Sequence, residues 1–270
     1  MPIVWVNIKI VWYFGYKGEE MSLVTLENVC LDYIVKTGSD SVKKTFTHLL
    51  TKSLKLSSAP SQSMHNSTFR ALNNINLSLK KGDRVGILGR NGAGKSTLLR
   101  VLAKVYKPNH GKINIHGTIS SLFDVNLGMN IEATGLENIV NLAVMRGIAK
   151  KKALEMLEDV ATFTQLGDFL HQPVRTYSTG MQMKLAFAVA TGSAADIMLI
   201  DEIIGAGDSH FMERATKRLE RRIELSSILV LTSHSNETIK RFCNKALVLH
   251  QGEVQFFGDV QEGIHFYEQQ

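Results

Sequence analysis

Apolar and polar positions change rhythm several times along this chain, and each change marks an element. Leu23–Tyr33 and Ala71–Leu79 alternate with the period of a strand that buries one face. Lys81-Gly82-Asp83 reads as a turn, and Arg84–Leu88 is a short apolar strand running into a glycine-rich loop. Ser96–Ala103 has helical spacing that Pro108 to Gly111 brings to an end, and Ile113–Phe123 reads as further strand. Lys150–Phe163 predicts one helix with Leu154, Leu157 and Ala161 on a shared face, and Gln182–Ala190 predicts another. Ile197–Ile200 and Ile228–Thr232 are unbroken apolar runs between polar residues, the mark of strands covered on both faces of a parallel sheet. A strand-and-turn region around Gly252 and Gly258 and a helix-like segment close the chain. The pattern is that of an α/β protein with a helical insertion at about 124–180, and it contains no internal repeat.

Two stretches fall outside this rhythm. Residues 1–20 hold both tryptophans but have neither a basic start nor a small-residue cleavage site, which excludes an ordinary signal peptide. A short strand and an interfacial anchor are competing readings. The favoured expectation is that translation begins at Met21, because Lys17-Gly18-Glu19-Glu20 can be encoded by bases that include a bacterial ribosome-binding sequence. Residues 1–20 are then a non-native extension, and 21–270 form a single domain. The second stretch, about 34–70, is rich in Ser, Thr and Lys, with Asp40 its only acid. Within it Val42, Phe46, Leu49, Leu50 and Ser53 share one side of a helical wheel, with Lys44, His48, Lys52 and Lys55 opposite. Either it is a solvated loop, or it is a basic amphipathic helix lying on a membrane surface or a partner.

Composition narrows the class without choosing a function. At 270 residues, 44% hydrophobic and 21% charged, the chain is ordinary globular material and not a disordered one. A net charge of +6 suits a nucleotide, an anionic membrane face or nucleic acid equally. The two cysteines, Cys30 and Cys243, offer no metal spacing and no disulfide framework, as in a reduced cytosolic protein. No apolar run approaches the roughly 20 residues that cross a bilayer, so a membrane role must act through a partner.

The chemistry is concentrated in a few short runs. Gly89-Arg90-Asn91-Gly92-Ala93-Gly94-Lys95-Ser96-Thr97 fits GxxxxGK[ST] between a strand and a helix. Its glycines let backbone N–H groups wrap a phosphate, Lys95 places a charge on the β- and γ-phosphates, and Ser96 is a Mg²⁺ ligand. Met198-Leu199-Ile200-Asp201-Glu202 delivers Asp201 to the metal shell from a strand end, with Glu202 placed to polarise an attacking water.

Tyr177-Ser178-Thr179-Gly180-Met181-Gln182 resembles the LSGGQ signature of ATP-binding-cassette proteins, with Thr for its first Gly and Met for its Gln. The resemblance spans about Leu23 to Gly258. It implies a P-loop ATPase domain: a RecA-like parallel-sheet core, an N-terminal antiparallel β-subdomain and a helical subdomain. It implies ATP and Mg²⁺ as ligands, and a head-to-tail homodimer in which Ser178, Thr179, Gly180 and Met181 close the partner's site. Asp208 resembles the Asp that reads across that interface, His234 resembles the switch histidine on the γ-phosphate, and Tyr33 resembles the aromatic that stacks on adenine. YSTGM, Ile203-Ile204-Gly205-Ala206-Gly207-Asp208, Thr134-Gly135-Leu136-Glu137-Asn138 and the insertion after Tyr33 look like the exporters of O-antigen, capsule or teichoic acid. That subfamily implies an integral membrane permease as partner, a lipid-linked polysaccharide handled indirectly, no nucleic acid, and a place on the cytoplasmic face of a bacterial inner membrane. The usual coupling-loop glutamine is not evident, and Asp124 or Asn126 stands in its region. The rivals are an importer or drug-export cassette with the same chemistry, and a soluble cassette acting on ribosomes or DNA.

Overall fold

The computed structural model describes residues 23–36, 66–123, 128–202 and 208–270. Residues 1–20, the wheel Val42–Ser53, Asp124, Asn126 and the run 203–207 lie outside them. The two alternating stretches pair antiparallel as β1 (Val24–Lys36) and β2 (Asn66–Leu79), with β4 (His110–Ile115) on the other edge of β1. Both ends of the stretch predicted as insertion are therefore strand. The buried face of β1 steps from Leu26 to Val29, and that of β2 from Leu72 to Ile75. A strict period of two forbids such a step. Asn28 and Asn74, each at φ 50, absorb the extra residue in a left-handed conformation that asparagine tolerates.

The second sheet holds β3 (Arg84–Leu88), β5 (Ile119–Leu122), β6 (Ile197–Asp201), β7 (Ile228–Thr232), β8 (Lys245–His250) and β9 (Glu253–Asp259), in the order β5-β6-β7-β3-β8-β9. All neighbours are parallel except β8 and β9. Helix α1 (Lys95–Leu102) and the antiparallel sheet cover one face, around Leu72, Ile75, Leu98, Leu99, Leu199, Val230 and Leu247. Helices α6 (Ser209–Leu225), α7 (Asn236–Phe242) and α8 (Val260–Glu268) contribute to the other face, around Phe211, Leu219, Met198, Leu229, Ile239, Ala246 and Ile264.

Between β5 and β6 stands a helical unit: α2 (Gly135–Met145), α3 (Lys150–Glu155), α4 (Leu157–Thr164) and α5 (Thr179–Ala190). Its core runs from Ile139 and Leu142 to Leu185 and Val189, so the unit extends through α5 beyond residue 180.

Two predicted elements divide. Ile113–Phe123 becomes β4 and β5 in different sheets, because the chain turns at Gly117, φ 114. Lys150–Phe163 becomes α3 and α4, parted at Met156, and the buried stripe is Ala153, Met156, Val160 and Thr164. Leu154 is 49% exposed. Met156 reaches inward over a bare Gly192, where a Cβ would lie 2.4 Å from Met156 Cε.

Candidate active site

Strand β3 lies between β7 and β8, so the loop at its carboxyl end opens at the middle of the sheet. Gly94 caps α1 at φ 105, where an added Cβ would meet the Ala71 carbonyl at 2.9 Å. No side chain caps this helix and its first turn holds no acid, so its leading N–H groups are left for an anion. Lys95 Nζ donates to the Gly89 carbonyl at 2.5 Å and to that of Arg90 at 3.2 Å. Burial lowers the Lys95 pKa, against the opposing pull of Asp201 and Glu202.

The register places Thr232 directly beside Asp201 on the neighbouring strand. Its hydroxyl donates to Asp201 Oδ1 at 2.5 Å, which holds the carboxylate at the sheet edge. Glu202 follows at φ 58, a left-handed conformation that costs a non-glycine residue about 1–3 kcal/mol. Its N–H donates to the Thr232 carbonyl at 3.1 Å and lies 3.2 Å from the Thr232 hydroxyl. The strained turn lifts the Glu202 side chain to 57% exposure, where Oε1 meets His234 Nε2 at 3.1 Å.

These residues line one cleft of about 470 Å³ with Arg90, Asn91, Gly92, Ser96, Thr97, Tyr33 and Phe69. Gly89 and Ala93 are buried in the loop behind it. Tyr33 forms a hydrogen bond between its hydroxyl and Thr97 Oγ1 at 3.2 Å. The structure thus gathers Tyr33, Lys95, Ser96, Thr97, Asp201, Glu202 and His234 around one space.

Ser178, Thr179, Gly180 and Met181 do not line it. Ser178 instead caps α5, accepting from Met181 N at 3.2 Å, with Ser178 and Thr179 exposed. Asp208 caps α6 through Phe211 N at 2.8 Å and pairs with Lys184 Nζ of α5 at 2.5 Å. The Lys184 hydrogen bond, with Phe211 N second, holds its carboxyl at about 2. Two contributors carry no motif of their own in the sequence. Thr232 ends an apolar run, and its clamp on Asp201 requires knowing that β6 and β7 are neighbours. Phe69 belongs to the stretch predicted as insertion, and only its pairing with Tyr33 brings it to the cleft.

Fold and cleft together define a phosphate-loop nucleotide-binding protein whose glycine loop, acid pair and histidine meet at the carboxyl edge of a parallel sheet. Residues 72–205 match the family model described as ABC transporter. The O-antigen export system ATP-binding protein RfbE of Yersinia enterocolitica is 44% identical over 185 residues, covering 68% of this chain and 77% of that protein. The teichoic acids export ATP-binding protein TagH of Bacillus anthracis is 37% identical over 235 residues, 84% of this chain but only 42% of that protein. Among solved structures, a dimeric post-hydrolysis state of the ATP-binding cassette MJ0796 bound to ADP and Pi superposes with a TM-score of 0.62 at 22% identity, covering 88% and 98% of the two chains. The chain belongs to the ATP-binding proteins of the ABC transporter family.

Proposed function

We propose that this chain hydrolyses ATP as a head-to-tail pair and thereby drives export of a lipid-linked cell-surface polysaccharide through a separate membrane subunit. One observation carries the pairing: the cleft has loop, acids and histidine, while the signature cradle faces elsewhere on the same chain. A γ-phosphate enclosed from two sides then needs two copies. The cargo class is supported by the names of relatives that export O-antigen and teichoic acids.

In the proposed cycle the loop and the leading N–H groups of α1 bind the phosphates, with Lys95 exchanging its carbonyl partners for phosphate oxygens. Ser96 and the Thr232-clamped Asp201 would hold Mg²⁺, which when bound neutralises charge on the β- and γ-oxygens. One hydroxyl and one carboxylate beside a phosphate fit Mg²⁺, which takes few protein ligands. No cage of three or more His, Cys, Asp or Glu exists among the described residues. Glu202 orients and deprotonates the attacking water, and His234, 3.1 Å away, steadies its carboxylate against the γ-phosphate. From the partner copy, Ser178, Thr179, Gly180 and Met181 close the site and Asp208 lies at the interface. ATP drives closure by binding the closed pair better than the open one.

A groove of about 650 Å³ between the core and the helical unit is the proposed seat of the permease. Val105 and Met145, 55% and 65% exposed, stand at it beside Phe123, Arg146 and Ile148. No described helix is long and apolar enough to cross a membrane. We place the protein on the cytoplasmic face of a bacterial inner membrane, held by that partner.

Glu202→Gln tests the chemistry. It should lower turnover by about 10²–10⁴-fold while ATP still binds and holds two copies together. Wild-type turnover in this variant would remove Glu202 from the role of base.

A further inference from the structure

We propose that Glu268, the last residue of α8, is a positioning residue for His234, acting through the side chain of Asn236. This inference rests on the role proposed for Glu202 and His234 in hydrolysis. The His234 side chain is 64% exposed and meets Glu202 across 3.1 Å. With so little packed against it, its aim depends on the turn that carries it from β7 to α7. On the β7 side, Thr232 is buried and bonded to Asp201. Inside the turn the bonds are local: Ser233 Oγ accepts from Ser235 N at 3.1 Å, and Ser235 Oγ accepts from Thr238 N at 3.3 Å. They shape the turn without tying it to the rest of the chain. Further along, Ile239 seats α7 over Gly86 of β3, where an added Cβ would lie 2.6 Å from Ile239 Cγ2. The entry to α7 is tied by Asn236, its first residue, whose Nδ2 donates to Glu268 Oε1 at 2.8 Å.

The far end of that bond is a fixed point. Gly263 lets α8 lie close on β8 and β9, since a Cβ there would come within 2.4 Å of Ala246 Cβ and 2.9 Å of the Phe256 ring. Phe266 stacks on Phe256 at 5.6 Å and 25°, and Ile264 is buried. The last turn of α8 is thereby carried to the carboxyl end of β8, beside the phosphate loop. There Tyr267 and Glu268 share a groove of about 300 Å³ with Arg90 and His250. Glu268 does not line the nucleotide cleft itself. Nor does its charge serve its own helix, because a carboxylate at a helix C-terminus opposes the dipole. An acid kept where its element disfavours it has its use elsewhere, and the bond to Asn236 supplies one.

The test measures ATP turnover by the full chain, together with the imidazole ¹H–¹⁵N spectrum, in which His234→Ala assigns the His234 signals. Glu268→Ala should lower kcat by on the order of threefold to tenfold, the equivalent of one hydrogen bond, with KM for ATP unchanged and the His234 signals moved. Glu268→Gln keeps an oxygen that can accept from Asn236, so both turnover and spectrum should stay close to wild type. Asn236→Ala should reproduce the loss, and adding Glu268→Ala to it should cost nothing more. Wild-type kcat in Glu268→Ala, or unmoved His234 signals, would overturn the proposal. So would an equal loss in Glu268→Gln, which would assign the effect to charge, or a raised KM, which would assign it to nucleotide binding. Wild-type turnover in His234→Ala would instead reject the role given to His234 itself.

Discussion

Asp208 shows how much one carboxylate can be committed within a single chain. It caps α6 and pairs with Lys184 of the signature helix, and these bonds hold its pKa at about 2 against an ordinary 3.8. Because the folded chain gives up this proton more readily than the unfolded one, the contribution is complete above 3.8 and is lost as pH falls through about 2. Lys184→Met should move the titration upward, read from the ¹³C shift of the Asp208 carboxyl against pH. An unmoved titration would assign the shift to the cap alone. Residues whose chemistry depends on near neighbours in the chain, such as Lys95, Ser96, Asp201 and Glu202, are legible in the sequence. The Thr232 clamp is not, because strand adjacency is a non-local fact, and Phe69 is hidden by a register that only the opposed β1 reveals.

At the scale of elements, the Thr134–Asn138 run and the signature tyrosine form one packing unit. Thr134 and Glu137 form a reciprocal capping box at the start of α2. Asn138, fully buried, accepts from Asn130 N at 2.8 Å and donates to the carbonyls of Asn130, Ala133 and Thr134. Gly135 is bare because Tyr177 lies over it: a Cβ there would come within 2.2 Å of Tyr177 Oη and 3.1 Å of Leu170 Cα. The buried Tyr177 hydroxyl donates to the Phe169 carbonyl at 2.6 Å, and burial raises its pKa. Gly135→Ala should therefore destabilise the chain by about 1–3 kcal/mol, and Tyr177→Phe should take back part of that loss. Denaturant unfolding of both single variants and the double decides it, strict additivity being the unfavourable result. Sequence periodicity finds α5 but does not mark α2, and it misjudges α3 and α4. It weighs leucine above alanine, while the structure buries Ala153 and Met156, the latter packed over Gly192, and leaves Leu154 half exposed.

For the whole molecule, apolar runs and the position of the glycine loop make the α/β class and the helical insertion legible. The strand order does not follow from them, since parallel neighbours are separated by long crossovers. Nor do the ties between helical unit and core. Arg218 of α6 pairs with Asp159 of α4, donates to Thr191 Oγ1 at 3.0 Å and lies over the Phe163 ring at 4.3 Å.

Because the nucleotide cleft and the Ser178 cradle occupy separate surfaces of one polypeptide, their defects should obey the rules of genetic complementation. Lys95→Ala spoils the first, and Gly180→Asp spoils the second at little cost to folding, since a Cβ there meets only Ser178 Oγ at 3.9 Å. Each inactive variant supplies what the other lacks, so mixing the two populations should regain ATP turnover from mixed pairs. Placing both changes on one molecule and mixing it with unaltered protein gives mixed pairs without a single sound site. A mixture of the two single variants that stays silent would mean that each polypeptide is its own complete enzyme.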